Sequence, residues 1–243
     1  MCQSKLSLLL AGLLLTPGAF AGPPYVADDP EPTDFKGYEV YLFAAGEKTD
    51  DGSGGAVGLD FNYGATPDLQ LTAVLPVEYD RPHAAATARG AGNVELAAKY
   101  RLLHPSEAGW DVAVFPRVFL PSASDRVGEQ HTTLFLPVWL QRDWSDWSTF
   151  GGGGCAVRNG VGAKDFCQLG WVVTRQLAAW QLGAELAHQT PDTVGGFAST
   201  SAGLGARYDA SARWHVLAYG ARGVQNVGPN ARYSWYASLL LTF

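Results

Sequence analysis

The 243-residue chain reads as all-β: a closed antiparallel up-and-down transmembrane β-barrel of about 12 strands, with short turns at one end and longer loops at the other. Three observations predict it. Side chains alternate with a period of two along most of the chain, connectors alternate in length, and an export signal precedes both. Composition agrees, since only 16% of residues are charged while 12% are aromatic. That is too little charge for an ordinary soluble domain and too much aromatic content for a disordered one. The mean hydropathy of -0.02 is what alternation of apolar and polar faces produces.

The first element is a cleaved signal peptide over residues 1–21. Met1 to Lys5 supplies a charged start, Leu6 to Leu15 an apolar run, and Ala19-Phe20-Ala21 the small-x-small pattern that precedes cleavage at Gly22. The apolar run is about half of the ~20 residues a membrane-spanning helix needs. Residues 22–34 form a Pro-rich acidic periplasmic leader (Pro23, Pro24, Asp28, Asp29, Pro30, Glu31, Pro32), a composition that neither helix nor ladder accepts. Its acidity and lack of a partner strand raise a second expectation, that it enters the bore as a plug.

Residues 35–243 form the barrel. Leu69, Leu71, Ala73, Leu75, Val77 and Tyr79 alternate with polar or small residues, as do Val94, Leu96, Ala98, Tyr100 and Leu102, and again Tyr233, Trp235, Ala237, Leu239, Leu241 and Phe243. Twelve such segments begin near residues 36, 55, 69, 92, 110, 132, 147, 165, 180, 199, 213 and 232. Between them, Gly64 to Asp68, His104 to Gly109, Asp143 to Asp146, Ala178-Ala179 and Asp209 to Ala212 read as tight turns. Glu47 to Gly54, Asp80 to Ala91, Ser122 to His131 and Ala156 to Lys164 read as longer loops. Trp110, Trp147, Trp180 and Trp214 each follow a short turn, which sets them at one height as an interfacial girdle. A soluble sandwich or lipocalin-like barrel would also alternate, but would bury the apolar face instead of covering every hairpin with leucines and aromatics.

If the apolar faces meet lipid, the alternate faces line the interior. That places Asp60, Glu78, Glu95, Lys99, Arg101, Asp111, Arg117, Glu185 and Arg207 inside, with Phe115, Phe119, Phe43 and Trp139 on or near inward faces. Two readings stay open: the charges orient a polar solute, or they pair with one another and fill the bore, and the cost of unpaired buried charge favours pairing. A bore of this strand number admits only small solutes. Cys155 and Cys167 flank an exposed loop, and in an oxidising compartment a disulfide is preferred over two free thiols, contributing on the order of 3 kcal/mol. No histidine lies near either cysteine, so neither metal nor cofactor is expected. His188 and Thr190 raise a lipid-hydrolase alternative, but no Gly-x-Ser-x-Gly is present, threonine substitutes poorly for serine, and no catalytic residue is assigned. The net charge of -6 argues against nucleic acid.

Several segments resemble a known family. Pro23-Pro24-Tyr25-Val26 with Asp28-Asp29-Pro30-Glu31-Pro32, Leu136-Pro137-Val138-Trp139-Leu140-Gln141, the run Gly151 to Gly154, Gly170-Trp171, His188 through Gly196, and Arg222-Gly223-Val224-Gln225-Asn226 resemble the outer-membrane barrel family labelled as a transporter of the phenol-degradation meta-pathway type. The resemblance implies a bacterial outer-membrane channel passing small hydrophobic or aromatic solutes by passive diffusion. It brings no defined set of binding residues, and the cysteine pair is not part of its pattern. The alternative is a non-conducting structural or binding barrel. Expected partners are outer-membrane lipids, such solutes, and the barrel-assembly machinery through a last strand ending in Phe243.

Overall fold

A computed structural model describes residues 23–105 and 109–243. The signal peptide expected over residues 1–21 lies outside the described residues, as do positions 106–108 of the connector His104 to Gly109. The strands in chain order are β1 (Tyr38–Lys48), β2 (Gly52–Thr66), β3 (Leu69–Pro82), β4 (Ala88–Ala91), β5 (Glu95–Leu103), β6 (Asp111–Val114), β7 (Arg117–Phe119), β8 (Thr133–Trp144), β9 (Trp147–Arg158), β10 (Phe166–Leu177), β11 (Trp180–Gln189), β12 (Ser199–Asp209), β13 (Trp214–Gln225) and β14 (Tyr233–Thr242). β4 with β5, and β6 with β7, are single barrel strands interrupted in the middle, so fourteen elements make a closed antiparallel barrel of 12 strands. Pro116 causes the second interruption, having no N–H to give the ladder. At the first, Asn93 pins the loop that follows β7: its amide donates to the carbonyls of Leu120 and Glu129, both at 2.8 Å.

The ring closes where β1 pairs with β14 from Glu39↔Thr242 to Lys48↔Tyr233. Beyond that register Tyr38 and Phe243 exchange backbone hydrogen bonds of 2.7 and 3.0 Å, and their rings stack 5.4 Å apart. Closure leaves no sheet edge, which is the condition for placing backbone in lipid. Alternate residues of each strand point outward, and Leu59, Leu75, Leu96, Leu136, Leu186, Leu204 and Trp235 are exposed. The core lies inside the barrel, where Phe43, Phe115, Phe135, Trp139, Phe150, Phe166, Val172, Tyr219 and Tyr236 form one buried cluster.

Turn geometry sorts the two ends. β2–β3, β8–β9 and β10–β11 are joined by two residues each, and Ser145 (φ 53°) and Ala178 (φ 54°) open two of these turns in the left-handed region that two-residue hairpins require. The expected long loop Glu47 to Gly54 is instead a tight turn. Glu47 pairs with Gly54 in the ladder, and Thr49 closes the turn by donating its N–H to the Gly52 carbonyl at 3.0 Å and accepting from the Asp51 N–H at 3.2 Å. A second difference concerns where the cysteines sit. They flank the β9–β10 loop as expected and are joined as the expected disulfide, but from within the ladder: Cys155 in β9 and Cys167 in β10 sit directly opposite on the same rung, because the two strands continue one further pair to Ala156↔Phe166.

Candidate functional site: the occupied bore

Residues 23–34 enter the bore, as their acidity and lack of a partner strand led one to expect. They run back from β1 into the bore at the short-turn end, where the Lys36 N–H donates to the Gly64 carbonyl at 2.8 Å. Inside, Tyr25, Ala27, Asp28, Pro30 and Thr33 are buried. A segment with no partner strand must find hydrogen bonds elsewhere, and the barrel wall supplies them. The Glu185 carboxylate accepts from the N–H of Ala27 at 2.7 Å and of Val26 at 3.1 Å. The Gln70 carbonyl accepts from the Thr33 N–H at 2.8 Å and its hydroxyl at 3.1 Å, while the Gln70 amide donates to Asn62 at 2.8 Å.

Glycine on inward positions makes room for this chain. A Cβ at Gly183 would lie 2.3 Å from the Tyr25 hydroxyl, and one at Gly205 would lie 2.5 Å from the Tyr25 ring. Tyr25 therefore lies flat on β11 and β12 and meets Phe150 and Tyr219 edge to face at 5.8 and 5.7 Å. Burial, then the nearby Glu185 carboxylate, pushes the Tyr25 phenol upward, so it stays protonated.

The opposite wall is charged. Lys99 reaches the leader, with its ammonium 3.0 Å from the Asp28 carboxylate, 3.6 Å from that of Asp29 and 3.3 Å from the Glu31 carbonyl. Burial holds the Asp28 carboxyl above the ordinary carboxylate range, and the Lys99 charge pulls the other way. Arg117 pairs bidentately with Glu95 at 2.6 and 3.0 Å, and Arg101 pairs with Asp111. Phe115 lies under both Lys99 (5.1 Å to the ring centre) and Arg117 (5.3 Å), and Phe119 is 5.9 Å from Arg117.

What the leader leaves open is a cavity of about 450 Å³ whose lining includes Gln141 and Ser148 near the short-turn end and Glu129, Arg158 and Asp192 near the long-loop end. Of the expected interior residues, Asp60, Glu78, Glu95, Lys99, Phe115, Arg117, Phe119 and Arg207 line it. Arg101 and Asp111 face inward beside it as a pair, with the leader's Glu31 carboxylate 3.9 Å from Arg101, and Glu185 is taken by the leader. Phe43 also lines the cavity, whereas Trp139 is wholly buried in the interior cluster. Sequence reading passed over Phe135, Phe150, Phe166 and Tyr236, although each stands on an inward position and the same parity argument would have found them. It also passed over Arg158, which joins two outer loops by pairing with Glu129 and donating to the Asp192 carbonyl at 2.9 Å.

Trp147, Trp180 and Trp214 are exposed on the outer face at the short-turn end, and Trp110 is half-buried beside Arg142, 5.7 Å from its ring. His188 is bonded to Thr200 at 2.8 Å, and Thr200 donates to Gln225 at 2.6 Å. Thr190 faces elsewhere, its hydroxyl accepting from the Cys167 N–H, so the pair does not form a base and nucleophile. No group of three or more metal-ligating side chains occurs among the described residues.

A closed antiparallel barrel with an apolar exterior, a narrow bore and a chain-derived occupant is the architecture of a bacterial outer-membrane β-barrel. No family model matches the chain, and no curated protein does. Solved structures do. The COG4313 outer membrane channel from Pseudomonas putida F1 superposes with a TM-score of 0.72 at 14% identity, over 88% of this chain and 98% of that one. The KdgM porin, also solved with disordered oligogalacturonate, gives 0.59 at 10% identity over 84% and 99%. At these identities the likeness is one of fold.

Proposed function

We propose that the protein is an outer-membrane channel through which small hydrophobic or aromatic solutes diffuse passively. The observation that carries this is the lining of the residual cavity: Phe43, Phe115, Phe119, Phe135, Phe150 and Phe166 face it, while the charges beside them are largely paired. Ring faces interact favourably with apolar and aromatic solutes, and paired charges do not impose the penalty of an unpaired one. Resemblance to the phenol-degradation meta-pathway transporters supports the same solute class, and the folds of the two neighbours support a channel. The tryptophans at the short-turn end suit the periplasmic interface, and Phe243 at the end of β14 suits recognition by the barrel-assembly machinery.

A second reading, a non-conducting barrel closed by its own N-terminal segment, is favoured by the burial of Tyr25, Ala27 and Asp28. Liposome swelling separates the two. Wild-type protein is expected to admit small aromatic solutes such as benzyl alcohol faster than sugars of similar mass. If folded protein excludes every solute and only removal of residues 23–34 restores flux, the channel reading gives way to the closed barrel.

A further inference from the structure

We propose that the seat of Asp28 is a carboxylate-binding subsite, occupied in this state by the leader, and that its external ligand is a small aromatic carboxylate. This rests on the reading of the bore as a solute path and names the chemistry of the solute. Three observations converge. Lys99 is buried and holds the Asp28 carboxylate at 3.0 Å, so the leader fills a place built for an anion. Arg117 is equally buried and lines the cavity, and after its two bonds to Glu95 its Nη1 has no hydrogen-bond partner, which leaves a charged donor for a further acceptor. Phe115 lies against both cations and Phe119 against the second, so aromatic surface stands beside the place where the carboxylate is held and can take the ring of an aromatic acid.

The arrangement has a mechanical consequence. Withdrawing the leader by itself takes the Asp28 and Asp29 carboxylates away from the buried Lys99 ammonium, which keeps the segment in place. An incoming carboxylate replaces Asp28 at Lys99, so the exchange costs no unpaired charge and the leader is released by the solute that needs the path. A neutral aromatic of the same shape lacks this exchange, and an ammonium is repelled by Lys99. The ligand thus binds the leader-out state in preference, which is the requirement for shifting the equilibrium.

The test follows amide hydrogen exchange in residues 23–34 of the folded full-length protein, with benzoate, benzamide and benzylamine as probes. Benzoate at millimolar concentration is expected to accelerate exchange at least tenfold, and benzamide and benzylamine to leave it unchanged. D28N removes the competing carboxylate and is expected to tighten benzoate binding about tenfold by calorimetry. Equal responses to benzoate and benzamide, or no gain in D28N, overturn the subsite. The channel reading fails separately, if neither benzoate nor benzyl alcohol enters wild-type proteoliposomes.

Discussion

On the wall built by β10, β11 and β12 the leader meets glycines, whereas on the wall built by β3, β5 and β7 it meets charge. The first wall recognises shape: Gly170, Gly183 and Gly205 leave hollows that Ala27 and Tyr25 fill, and Glu185 caps the backbone between them. The second recognises an anion, with Lys99 on Asp28 and Gln70 on Thr33. Shape complementarity is lost in steps as bulk is added, but a buried ion pair is lost at once when one partner goes. One short segment thus carries two kinds of lock, and they fail differently.

The largest effect is expected from K99M, which leaves Asp28 buried without its cation and weakens docking by about 3–5 kcal/mol. The signal is faster amide exchange throughout residues 23–34. The sign of its pH dependence follows from Asp28, whose carboxyl is held above its ordinary range in the docked state. Such a group contributes docking strength that is fully present below the pKa of the free leader and is lost as pH rises through the docked value. K99M docking is therefore expected to tighten as pH falls, and exchange that speeds up instead would remove Asp28 from the charged lock.

Next comes the shape lock. G183V with G205V crowds Tyr25 from two sides at about 1–3 kcal/mol each, freeing residues 23–27 while residues 28–33 stay protected by Lys99 and Gln70. Uniform release of the whole leader would show that the two walls act as one. E185Q keeps an acceptor but loses the charge behind two backbone bonds, and about 1 kcal/mol of docking is expected to go with it, read as a modest rise in exchange at Val26 and Ala27 alone. Smallest is R232A at the long-loop rim. Its pair with Asp50 is about half exposed, so thermal unfolding is expected to move by no more than about 1 kcal/mol, and the leader not at all.

Much of this barrel is legible from local pattern. Strand starts at 69, 147, 180 and 199 follow from alternation and turn residues alone, because a period of two and a positive-φ turn are properties of a few adjacent residues. The same parity puts Lys99, Arg117 and Glu185 inward. It fails where glycine intervenes: Glu47 to Gly54 looked like a loop because Gly52, Gly54 and Gly55 signal turns, yet they pair in register within β2. It says nothing about which inward charges meet, since Lys99 and Asp28 are far apart in the chain and only the curvature of the closed wall brings them together.

The sequence by itself determined the class, a strand number of about 12 and the inward or outward direction of most strand side chains, since these are set by local sterics and by the exclusion of polar backbone from lipid. How the bore is filled was decided only by tertiary structure. Acidity and the lack of a partner strand pointed the proline-rich segment into the bore, but its seat there exists only once a wall offers glycine hollows on one side and a buried cation on the other. Its place is then settled by the cost of leaving Lys99 and Glu185 without partners.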